Sequence, residues 1–344
     1  MIRVGIIGFG FMGRMHFRCW RVRRDAVVTA ICDTDAAAVK NTGRPTGNIA
    51  GAACAADLRD VAVYADPEAM FARERLDAVS IAVPSHLHAA WTVRALEAGV
   101  HVRCEKPMAL TRADGQRMME AAEKRKAVLQ IGHCIRFWPE YAKAKEIVES
   151  GRYGRVIAAS FLRLSATART KQGSWFDDEE RSGGMVFDLH IHDTDFIQSL
   201  FGIPESVCSH GARMPTGGLA HIVTHYRYPD AALVTAEGGW AMTPSCGLHM
   251  RFTLVLENAV LAFDYAQTPA LKVFPLDGEP YAPELPPGDA YAREIDHFVR
   301  AVRGDRTAAV ITPRQAWNSL AIAEAERESV RQEGRPIHVS TETF

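Results

Sequence analysis

The sequence predicts an α/β protein, with a doubly wound parallel sheet in residues 1–130 and an open, mainly antiparallel sheet in residues 131–344. Three observations predict this fold. Short apolar runs alternate with helical patterns in the first part of the chain, and consecutive strand-like runs joined by turns fill the second. The length of 344 residues also exceeds what one ordinary hydrophobic core organises. Two domains are therefore expected, with the last helices packing back on the first.

The strands of the first domain are expected where the chain is almost wholly apolar, because helices on both faces of a parallel sheet bury both sides of each strand. These runs are Arg3–Ile7, Val27–Cys32, Ala78–Val83, Val100–Cys104 and Ala127–Ile131. Helical patterns separate them at Met12–Arg23, Leu87–Ala98 and Arg112–Lys124. This alternation of strand and helix predicts that the strands are parallel.

The second domain is expected to begin with a helix at about Glu140–Ser150. Strands are expected at Val156–Ser165, Val207–Arg213, Ile222–Tyr228, Ala232–Trp240, His249–Leu256 and Val260–Tyr265. A helical insert at about Met185–Phe201 interrupts them, and helices at about Ala290–Arg303 and Pro313–Gln332 close the chain. Consecutive strands linked by short turns are typical of an antiparallel sheet.

Charge and composition exclude several classes of function. The formal net charge of −1 predicts no broad attraction to nucleic acid or to an anionic membrane. No apolar run reaches the roughly 18 residues that a membrane-spanning helix needs. The seven cysteines are an odd number and form no C-x-x-C pair, so neither disulfides nor structural zinc are expected. A cytoplasmic protein is the resulting expectation.

Gly8, Gly10 and Gly13 form a G-x-G-x-x-G run that follows the first predicted strand and opens the first predicted helix. In that context Gly8 permits a tight turn, Gly10 lets the backbone approach a pyrophosphate, and Gly13 lets helix and strand pack closely. The N–H groups of the first helical turn, which contains Phe11 and Met12, favour phosphates. The alternative is a glycine turn in an unrelated α/β domain.

Asp33 ends the second predicted strand, 20 residues after Gly13. A carboxylate at this place accepts hydrogen bonds from the ribose 2′-hydroxyl of NAD and repels the 2′-phosphate of NADP. The alternative role for Asp33 is a helix cap. The agreement of position, spacing and terminal acid predicts a Rossmann domain that binds NAD as its cofactor.

Several segments together resemble the glucose–fructose oxidoreductase/inositol dehydrogenase/MocA-like family. They are the glycine run, Val83-Pro84-Ser85-His86-Leu87-His88, Cys104-Glu105-Lys106-Pro107, Arg136-Phe137-Trp138-Pro139 and Gly183-Gly184-Met185-Val186-Phe187-Asp188-Leu189-His190-Ile191-His192-Asp193. They occur in the family's order along the chain. The resemblance implies a Rossmann domain followed by an open antiparallel sheet, which the strand pattern predicts independently.

The chemistry of alcohol oxidation agrees with this resemblance, because it needs a hydride acceptor and a base for the hydroxyl proton. His192 is a suitable base, since histidine titrates near neutral pH. Asp188 lies four residues earlier, on the same face of a regular helix. Lys106 follows a parallel strand and is expected to donate to the reacting oxygen. The alternatives are an exposed lysine paired with Glu105 and a surface Asp188–His192 pair.

Further residues are expected around the cofactor. Pro84 and His88 follow the strand predicted at Ala78–Val83 and are expected to border the nicotinamide ribose. Packing at a helix start is the alternative for His88. Glu105 is expected on the nicotinamide side, with a role at a helix start or as the partner of Lys106 as the alternative.

Three residues are substrate candidates. His133 follows the strand predicted at Ala127–Ile131 and is expected to line the pocket. Arg136 is expected to meet the substrate, or else to brace the domain junction. Trp175 precedes the helix that carries Asp188, where it would cover a sugar face or fill the loop.

The cluster His190, His192, Asp193 and Asp195 suggests a metal site, but these side chains do not converge on a helix, so no metal is expected. His190 is expected to have a structural role.

The predicted function is an NAD-dependent dehydrogenase that oxidises or reduces a secondary hydroxyl of a sugar, cyclitol or related polyol. Two alternatives stay open: an NAD-dependent glycoside hydrolase with a transient oxidation, and a catalytically silent dinucleotide sensor. The open sheet predicts a homodimer or homotetramer.

Overall fold

The computed structural model describes residues 1–40, 57–166, 175–214, 218–229, 232–305 and 309–341. The chain divides into two compact units. The first contains Met1–Cys134 and Tyr291–Arg314, and the second contains Ile135–Ala290 and Gln315–Phe344. Each unit has its own sheet, as the sequence predicts.

The first unit carries a six-stranded sheet with the strand order β3-β2-β1-β4-β5-β6, and each pairing is parallel. Its elements are β1 (Ile2–Ile7), α1 (Phe11–Arg21), β2 (Ala26–Cys32), α2 (Ala36–Lys40), β3 (Ala62–Tyr64), α3 (Pro67–Arg73), β4 (Ala78–Ile81), α4 (His88–Glu97), β5 (His101–Glu105), α5 (Arg112–Arg125) and β6 (Leu129–Gly132). This is the strand order of a doubly wound dinucleotide-binding fold, in which ligands bind at the carboxyl ends of the strands.

The first unit's core explains why its strands are so apolar. Val4, Ile6, Val79 and Val102 are fully buried, as expected for a sheet covered on both faces. Trp20 of α1 is buried as well, and its indole N–H donates to the Ser80 hydroxyl on β4 at 2.9 Å. The helix that begins at the glycine run is therefore held against the middle of the sheet.

The second unit begins with α6 (Pro139–Glu149) and β7 (Val156–Leu164). There follow α7 (Glu179–Ser182), a π-helical turn (Val186–His190), α8 (Ile191–Phe201), β8 (Ser206–Arg213), β9 (Leu219–Arg227), β10 (Leu233–Gly239), β11 (His249–Leu256), β12 (Ala259–Asp264) and β13 (Leu271–Pro275). The chain closes with α9 (Ala290–Val302), α10 (Pro313–Arg331) and β14 (Ile337–His338). The short strands β13 and β14 are additional to the predicted ones.

The eight strands of the second sheet have the order β13-β12-β11-β7-β10-β9-β8-β14. All neighbours are antiparallel except β7 and β10, which are parallel. One face packs on an aromatic core, in which the Tyr141 ring of α6 lies 4.8 Å from Phe196 and 5.0 Å from Phe252, edge to face. The predicted open, mainly antiparallel sheet is thus confirmed.

The two closing helices belong to different units. Helix α9 clusters with the first unit, where Phe298 packs edge to face on Trp20. Helix α10 clusters with the second unit from Gln315 onward. The sequence predicts both helices within the second domain, residues 131–344, packing back on the first; that packing stays a prediction, because an amphipathic pattern shows that a helix is buried and does not show against what.

Over the ranges described above, no helix is both long and apolar enough to cross a bilayer. The six cysteines that lie in those ranges form no disulfide with one another.

Candidate active site

The glycine turn after β1 has the geometry that a bound dinucleotide requires. Gly8 has a φ of +87°, and a Cβ atom there would overlap the carbonyl oxygen of Ala82. A Cβ atom on Gly13 would overlap the carbonyl oxygen of Gly8. At Gly10, by contrast, a Cβ atom would meet nothing within 4 Å. The two tight positions close the turn, and the open one leaves space for a phosphate, so these residues fit NAD.

Helix α1 begins at Gly10, which has no side chain to cap it. Helices α3 and α5 begin differently, because the side chains of Asp66 and Thr111 accept hydrogen bonds from their first turns. Phe11 and Met12 are half-buried in the first turn of α1. The start of α1 is therefore suited to an anionic ligand rather than to a side-chain cap.

Asp33 lies at the end of β2, beside the glycine turn. Its Oδ2 accepts a hydrogen bond from the Phe9 N–H at 2.7 Å, and its Oδ1 accepts one from the Asp35 N–H at 2.9 Å. Each carboxylate oxygen can accept a second bond. The contact with Phe9 places the carboxylate next to the turn, where a ribose hydroxyl of NAD would lie.

Pro84 precedes a short 3₁₀ turn, Ser85–Leu87, at the carboxyl end of β4. His88 is almost wholly buried: its Nδ1 lies 2.7 Å from the carbonyl oxygen of Pro107, and its Nε2 lies 3.0 Å from that of Val83. Burial lowers the pKa of this ring, although both carbonyl contacts oppose that shift. Both ring nitrogens of His88 thus contact the backbone of its own unit, which agrees with the packing role.

Glu105 ends β5 and belongs to a buried charged cluster. Its Oε1 lies 2.8 Å from Nε2 of His16 and 3.2 Å from the guanidinium of Arg103. Burial alone would raise the pKa of the Glu105 carboxyl, but the His16 hydrogen bond and the Arg103 charge outweigh it and lower that pKa. Contact of Glu105 with the cofactor stays a prediction. The sequence did not predict that His16 and Arg103 hold the Glu105 carboxylate.

Lys106 follows Glu105 at the same edge of the sheet and is half-buried, and the peptide bond between Lys106 and Pro107 is cis. His133 follows β6 at this edge too, and it is buried. The structure therefore brings the carboxyl ends of β1, β2, β4, β5 and β6 together with the residues predicted there, within one unit.

In the second unit, Asp188 lies in the π-helical turn and His192 in the first turn of α8; both are half-buried. The sequence predicted a regular α-helix with the two residues on one face. That prediction is wrong for Val186–His190, because i→i+5 bonding widens the turn and shifts the angular offset between the two side chains. π-helical turns are frequent at functional sites.

The two aspartates that follow His192 pair with arginines. Arg163 of β7 makes a two-point contact with Asp193, at 2.7 and 2.9 Å, and also donates to the Tyr141 hydroxyl at 3.3 Å. All three side chains are buried. Such a paired geometry compensates the cost of burying both charges. Asp193 is thereby committed to fixing α8 on the sheet.

Arg136 contacts Asp195 in the same two-point manner, at 2.7 and 2.8 Å, and both residues are buried. It also donates to the side-chain oxygen of Gln198 at 3.1 Å. The Arg136 guanidinium thereby braces α8 inside the second unit, and contact of Arg136 with a substrate stays a prediction. A bracing role was the alternative for Arg136, and Asp195 and Gln198 belong to the same unit as Arg136.

His190 lies in a buried polar cluster beneath the π-helical turn. Its Nε2 is 3.4 Å from the Tyr226 hydroxyl and 3.6 Å from Glu326. The hydroxyls of Tyr226 and Thr194 donate to the Glu326 carboxylate at 2.5 and 3.1 Å. Burial and the nearby Glu326 charge raise the pKa of Tyr226 well above its ordinary value. The structural role expected for His190 agrees with this placement.

The residues that suggested a metal site thus turn to different partners: His190 to Glu326, Asp193 to Arg163 and Asp195 to Arg136. Over the ranges that the structure describes, no three His, Cys, Asp or Glu side chains are grouped as a metal site requires.

Trp175 is half-buried in an aromatic row. Its ring lies 5.6 Å from Phe176, which lies 5.4 Å from Trp240 at the end of β10. The contact of Trp175 with a sugar stays a prediction.

His16, Arg103, Arg163 and Glu326 were not predicted from the sequence. Arg103 and Arg163 did carry a signal, because a charged residue inside a largely apolar strand needs a buried partner. His16 and Glu326 lie in helices and carried no such signal.

Two family profiles match this chain. The one described as "Oxidoreductase family, NAD-binding Rossmann fold" matches residues 2–133, and the one described as "GFO/IDH/MocA C-terminal domain" matches residues 141–262.

Curated relatives and a solved structure are also similar to this chain. The 2,7-anhydro-N-acetylneuraminate hydratase of Mediterraneibacter gnavus is 30% identical over 63% of this chain and 52% of that protein. Inositol 2-dehydrogenase 2 of Saccharopolyspora erythraea is 27% identical over 96% of this chain and 93% of that protein. The structure of levoglucosan dehydrogenase in complex with NADH and levoglucosan has the same fold, with a TM-score of 0.82 at 20% identity over 98% of this chain and 99% of that one.

Against several curated relatives, this chain spans only 52 to 62% of their length. The two profiles nevertheless cover more than half of the chain in the order of its two units. The first unit is an NAD-binding Rossmann domain, and the protein belongs to the Gfo/Idh/MocA oxidoreductase family.

Proposed function

We propose that this protein is an NAD-dependent dehydrogenase that interconverts a secondary hydroxyl of a sugar, cyclitol or related polyol with the corresponding ketone. One observation carries the proposal. The half-buried Lys106 lies at the same sheet edge as a glycine turn shaped for a dinucleotide. A cation at that edge can polarise an alcohol oxygen close to the cofactor.

Bound NAD would supply the hydride acceptor for the carbon that is oxidised. The imidazole of His192 takes the hydroxyl proton, because a neutral histidine is a base at physiological pH. The ammonium of Lys106 donates to the same oxygen and stabilises the developing alkoxide charge. Asp188 orients the imidazole or a second hydroxyl of the substrate. In the reverse direction the same groups return the proton.

NAD is proposed over NADP because of Asp33. Its carboxylate is held 2.7 Å from the Phe9 N–H, so it cannot swing away from the ribose position without losing that bond. The negative charge of Asp33 would repel the 2′-phosphate of NADP at that position.

The class of substrate is supported by the names of the relatives, which include inositol 2-dehydrogenase and levoglucosan dehydrogenase. Inositol and levoglucosan are both ring compounds that carry secondary hydroxyl groups. A second candidate function rests on the relative named as an anhydroneuraminate hydratase. In this candidate function, the protein would oxidise a sugar transiently and form no net NADH. The glycoside hydrolase alternative is one reaction of this kind.

A panel of inositols, glucosides and anhydrosugars distinguishes these candidates. Purified protein is incubated with NAD or NADP, and absorbance at the NADH band and loss of sugar are followed together. NADH formation with NAD, lost in Lys106→Ala, is the expected result. Sugar loss without NADH would favour the second candidate. NAD binding without any sugar turnover would favour the dinucleotide sensor and contradict the proposal.

A homodimer or homotetramer is proposed through the open face of the second sheet. By strand register, Val223, Leu233 and Phe274 lie on the face opposite the aromatic core, with 47, 60 and 40% of their surface exposed. Apolar side chains spread over one sheet face favour association with a second copy. Light scattering during gel filtration tests this, and a monomer at micromolar concentration would contradict it.

A further inference from the structure

The backbone on both sides of Lys106 is fastened by buried side chains. Glu105 precedes Lys106 and Pro107 follows it, and each has a contact with a buried histidine of the same unit. Neither histidine lies near Lys106 in the chain: His16 is on α1 and His88 starts α4. Such contacts restrict the residue between them, whose own side chain is half-buried.

On the Glu105 side, the fastening is a cluster of four charged or polar groups. His16, Arg103 and Glu294 have no exposed side-chain surface, and Glu105 has 9%. His16 Nε2 lies 2.8 Å from Glu105 Oε1. Nη1 of Arg103 lies 2.6 Å from the same Nε2 and 3.2 Å from Nδ1, so the His16 ring lies directly between the Arg103 guanidinium and the Glu105 carboxylate.

The cluster is anchored further by α9 of the same unit, because Arg103 also pairs with Glu294. With Arg103 and both carboxylates charged and His16 neutral, the cluster has one excess negative charge. The Lys106 ammonium is among the charges that lower the pKa of the Glu105 carboxyl. Lys106 is thus attracted to the residue that precedes it, as well as fixed by it.

On the Pro107 side, His88 is the anchor. Its Nδ1 donates to the Pro107 carbonyl at 2.7 Å, and its ring is 1% exposed. Nε2 faces the Val83 carbonyl, so the ring also touches the carboxyl end of β4. His88 therefore links the strand end nearest the glycine turn to the residue that follows Lys106.

We propose that Glu105 and His88 are positioning residues for Lys106, and that His16 and Arg103 act through Glu105. This assignment rests on the catalytic role proposed for Lys106, and it replaces the contacts with NAD that the sequence predicted for Glu105 and His88. Helix α1 then has two roles. Its first turn binds the dinucleotide, and His16, one turn further on, helps to position Lys106 through Glu105. Removing the Glu105 charge should loosen Lys106 and leave NAD binding intact.

The test measures the chemical reactivity of Lys106 directly. Trace acetylation with acetic anhydride, read by mass spectrometry, compares the rate at Lys106 with that at Lys143 in the same molecule. In Glu105→Gln, Lys106 should react about fivefold faster, the size of effect that one unit charge has at short range in water. The NAD dissociation constant, from titration calorimetry, should stay within about twofold of wild type.

Glu74→Gln is the matched control. Glu74 is a glutamate of the same unit that also accepts a partly buried hydrogen bond, from the Tyr64 hydroxyl at 2.8 Å. It should change neither readout. His88→Ala tests the other anchor and should also speed acetylation of Lys106, whereas His88→Gln, which keeps an N–H donor, should restore part of the wild-type rate. If Glu105→Gln does not fold, the acetylation rates of His88→Ala and His88→Gln test the proposal.

Unchanged acetylation of Lys106 in both Glu105→Gln and His88→Ala would overturn the proposal. So would a tenfold weaker NAD affinity with unchanged acetylation, which would make these residues cofactor ligands. Faster acetylation of Lys143 as well would indicate general loosening and count against it. Neither measurement needs a sugar, so absence of turnover with every sugar would contradict the proposed function alone. Where turnover is found, kcat should fall in Glu105→Gln with the KM for NAD unchanged.

Discussion

A methyl group on Gly13 would overlap the carbonyl oxygen of Gly8, because the first turn of α1 passes directly over the glycine turn. Gly10, two residues after Gly8, has open space in front of it and a φ of −71° that any residue can adopt. The three glycines of one motif therefore have separable purposes. Two serve the fold of the turn, and one keeps space for a ligand.

Alanine substitutions should separate these purposes. Gly13→Ala should destabilise the protein by about 1–3 kcal/mol, because the turn must shift to admit the methyl group. Gly10→Ala should cost less than about 1 kcal/mol of stability, yet weaken NAD binding at least about tenfold. Denaturant unfolding and NAD titration of both variants check this. Tight NAD binding by Gly10→Ala would show that the pyrophosphate lies elsewhere.

Asp33 should decide the choice of cofactor through its charge. Asp33→Asn keeps an oxygen that can accept from the Phe9 N–H, at 2.7 Å in the wild type, and removes only the charge. We expect this variant to fold normally and to narrow the preference for NAD over NADP. Asp33→Ala should narrow it too but also loosen the turn. Titration with both cofactors is the measurement, and equal affinity for NAD and NADP in the wild type would refute the assignment.

Lys106 and His192 should share one chemical step. Each alanine variant should keep NAD affinity, since neither residue is assigned to the pyrophosphate. His192→Ala should lose about a hundred- to ten-thousand-fold in kcat and recover partly at high pH, where hydroxide replaces the missing base. The double variant should lose much less than the product of the two single losses, because both groups act on one oxygen and its proton.

Steady-state kinetics of the three variants across pH decide this prediction. Wild-type turnover in His192→Ala at every pH would exclude His192 as the base. Loss of NAD binding in Lys106→Ala would show that the lysine serves the cofactor instead.

The buried pair of Arg163 and Asp193 should matter for stability far more than an exposed pair. Asp193→Asn leaves the arginine charge buried without its partner and should cost about 3–5 kcal/mol. Glu257→Gln breaks the contact with Arg155, whose side chain is 85% exposed, and should cost less than about 1 kcal/mol. Denaturant unfolding of both variants tests the contrast, and equal small losses would contradict it.

Arg136→Met should behave as a stability variant as well. Its guanidinium is paired with Asp195 inside the second unit, so the free energy of unfolding should fall. At a temperature where the variant is fully folded, its KM for sugar should stay near that of wild type. A large rise in the KM for sugar with unchanged stability would instead support the substrate role predicted from the sequence.

Acid should destabilise the first unit through His16. Burial, followed by the nearby Arg103 cation, lowers the pKa of this ring from 6.5 to about 4. The neutral ring is thus favoured by folding, so its contribution is complete above pH 6.5 and is lost as the pH falls towards 4. Between pH 7.5 and pH 5 the free energy of unfolding should drop by about 2 kcal/mol from this group. His16→Asn should remove that part of the pH dependence, and an unchanged dependence in the variant would contradict the assignment.

The sequence alone determined the class of fold and the cofactor half of the site. Strands buried on both faces must be apolar throughout, and a turn that passes under a helix must be glycine, so both leave marks within a few neighbouring residues. For the same reason Gly8, Gly13 and Asp33 could be recognised by spacing. Lys106, Asp188 and His192 were named through a resemblance carried by several separate segments, and their roles stay predictions.

Tertiary structure decided what the buried charges do. Arg136 was predicted to meet the substrate, and Glu105 and His88 to border the cofactor. The buried partners of these side chains were not predicted, because an isolated polar residue in a sequence does not reveal its partner. Asp195 lies 59 residues from Arg136, and Arg103 lies 191 residues from Glu294. The π-helical turn at Val186–His190 was equally invisible, because its residues are compatible with an α-helix and only the packing around them widens the turn. A buried charge must find a partner somewhere in the fold, and the fold alone determines which one it is.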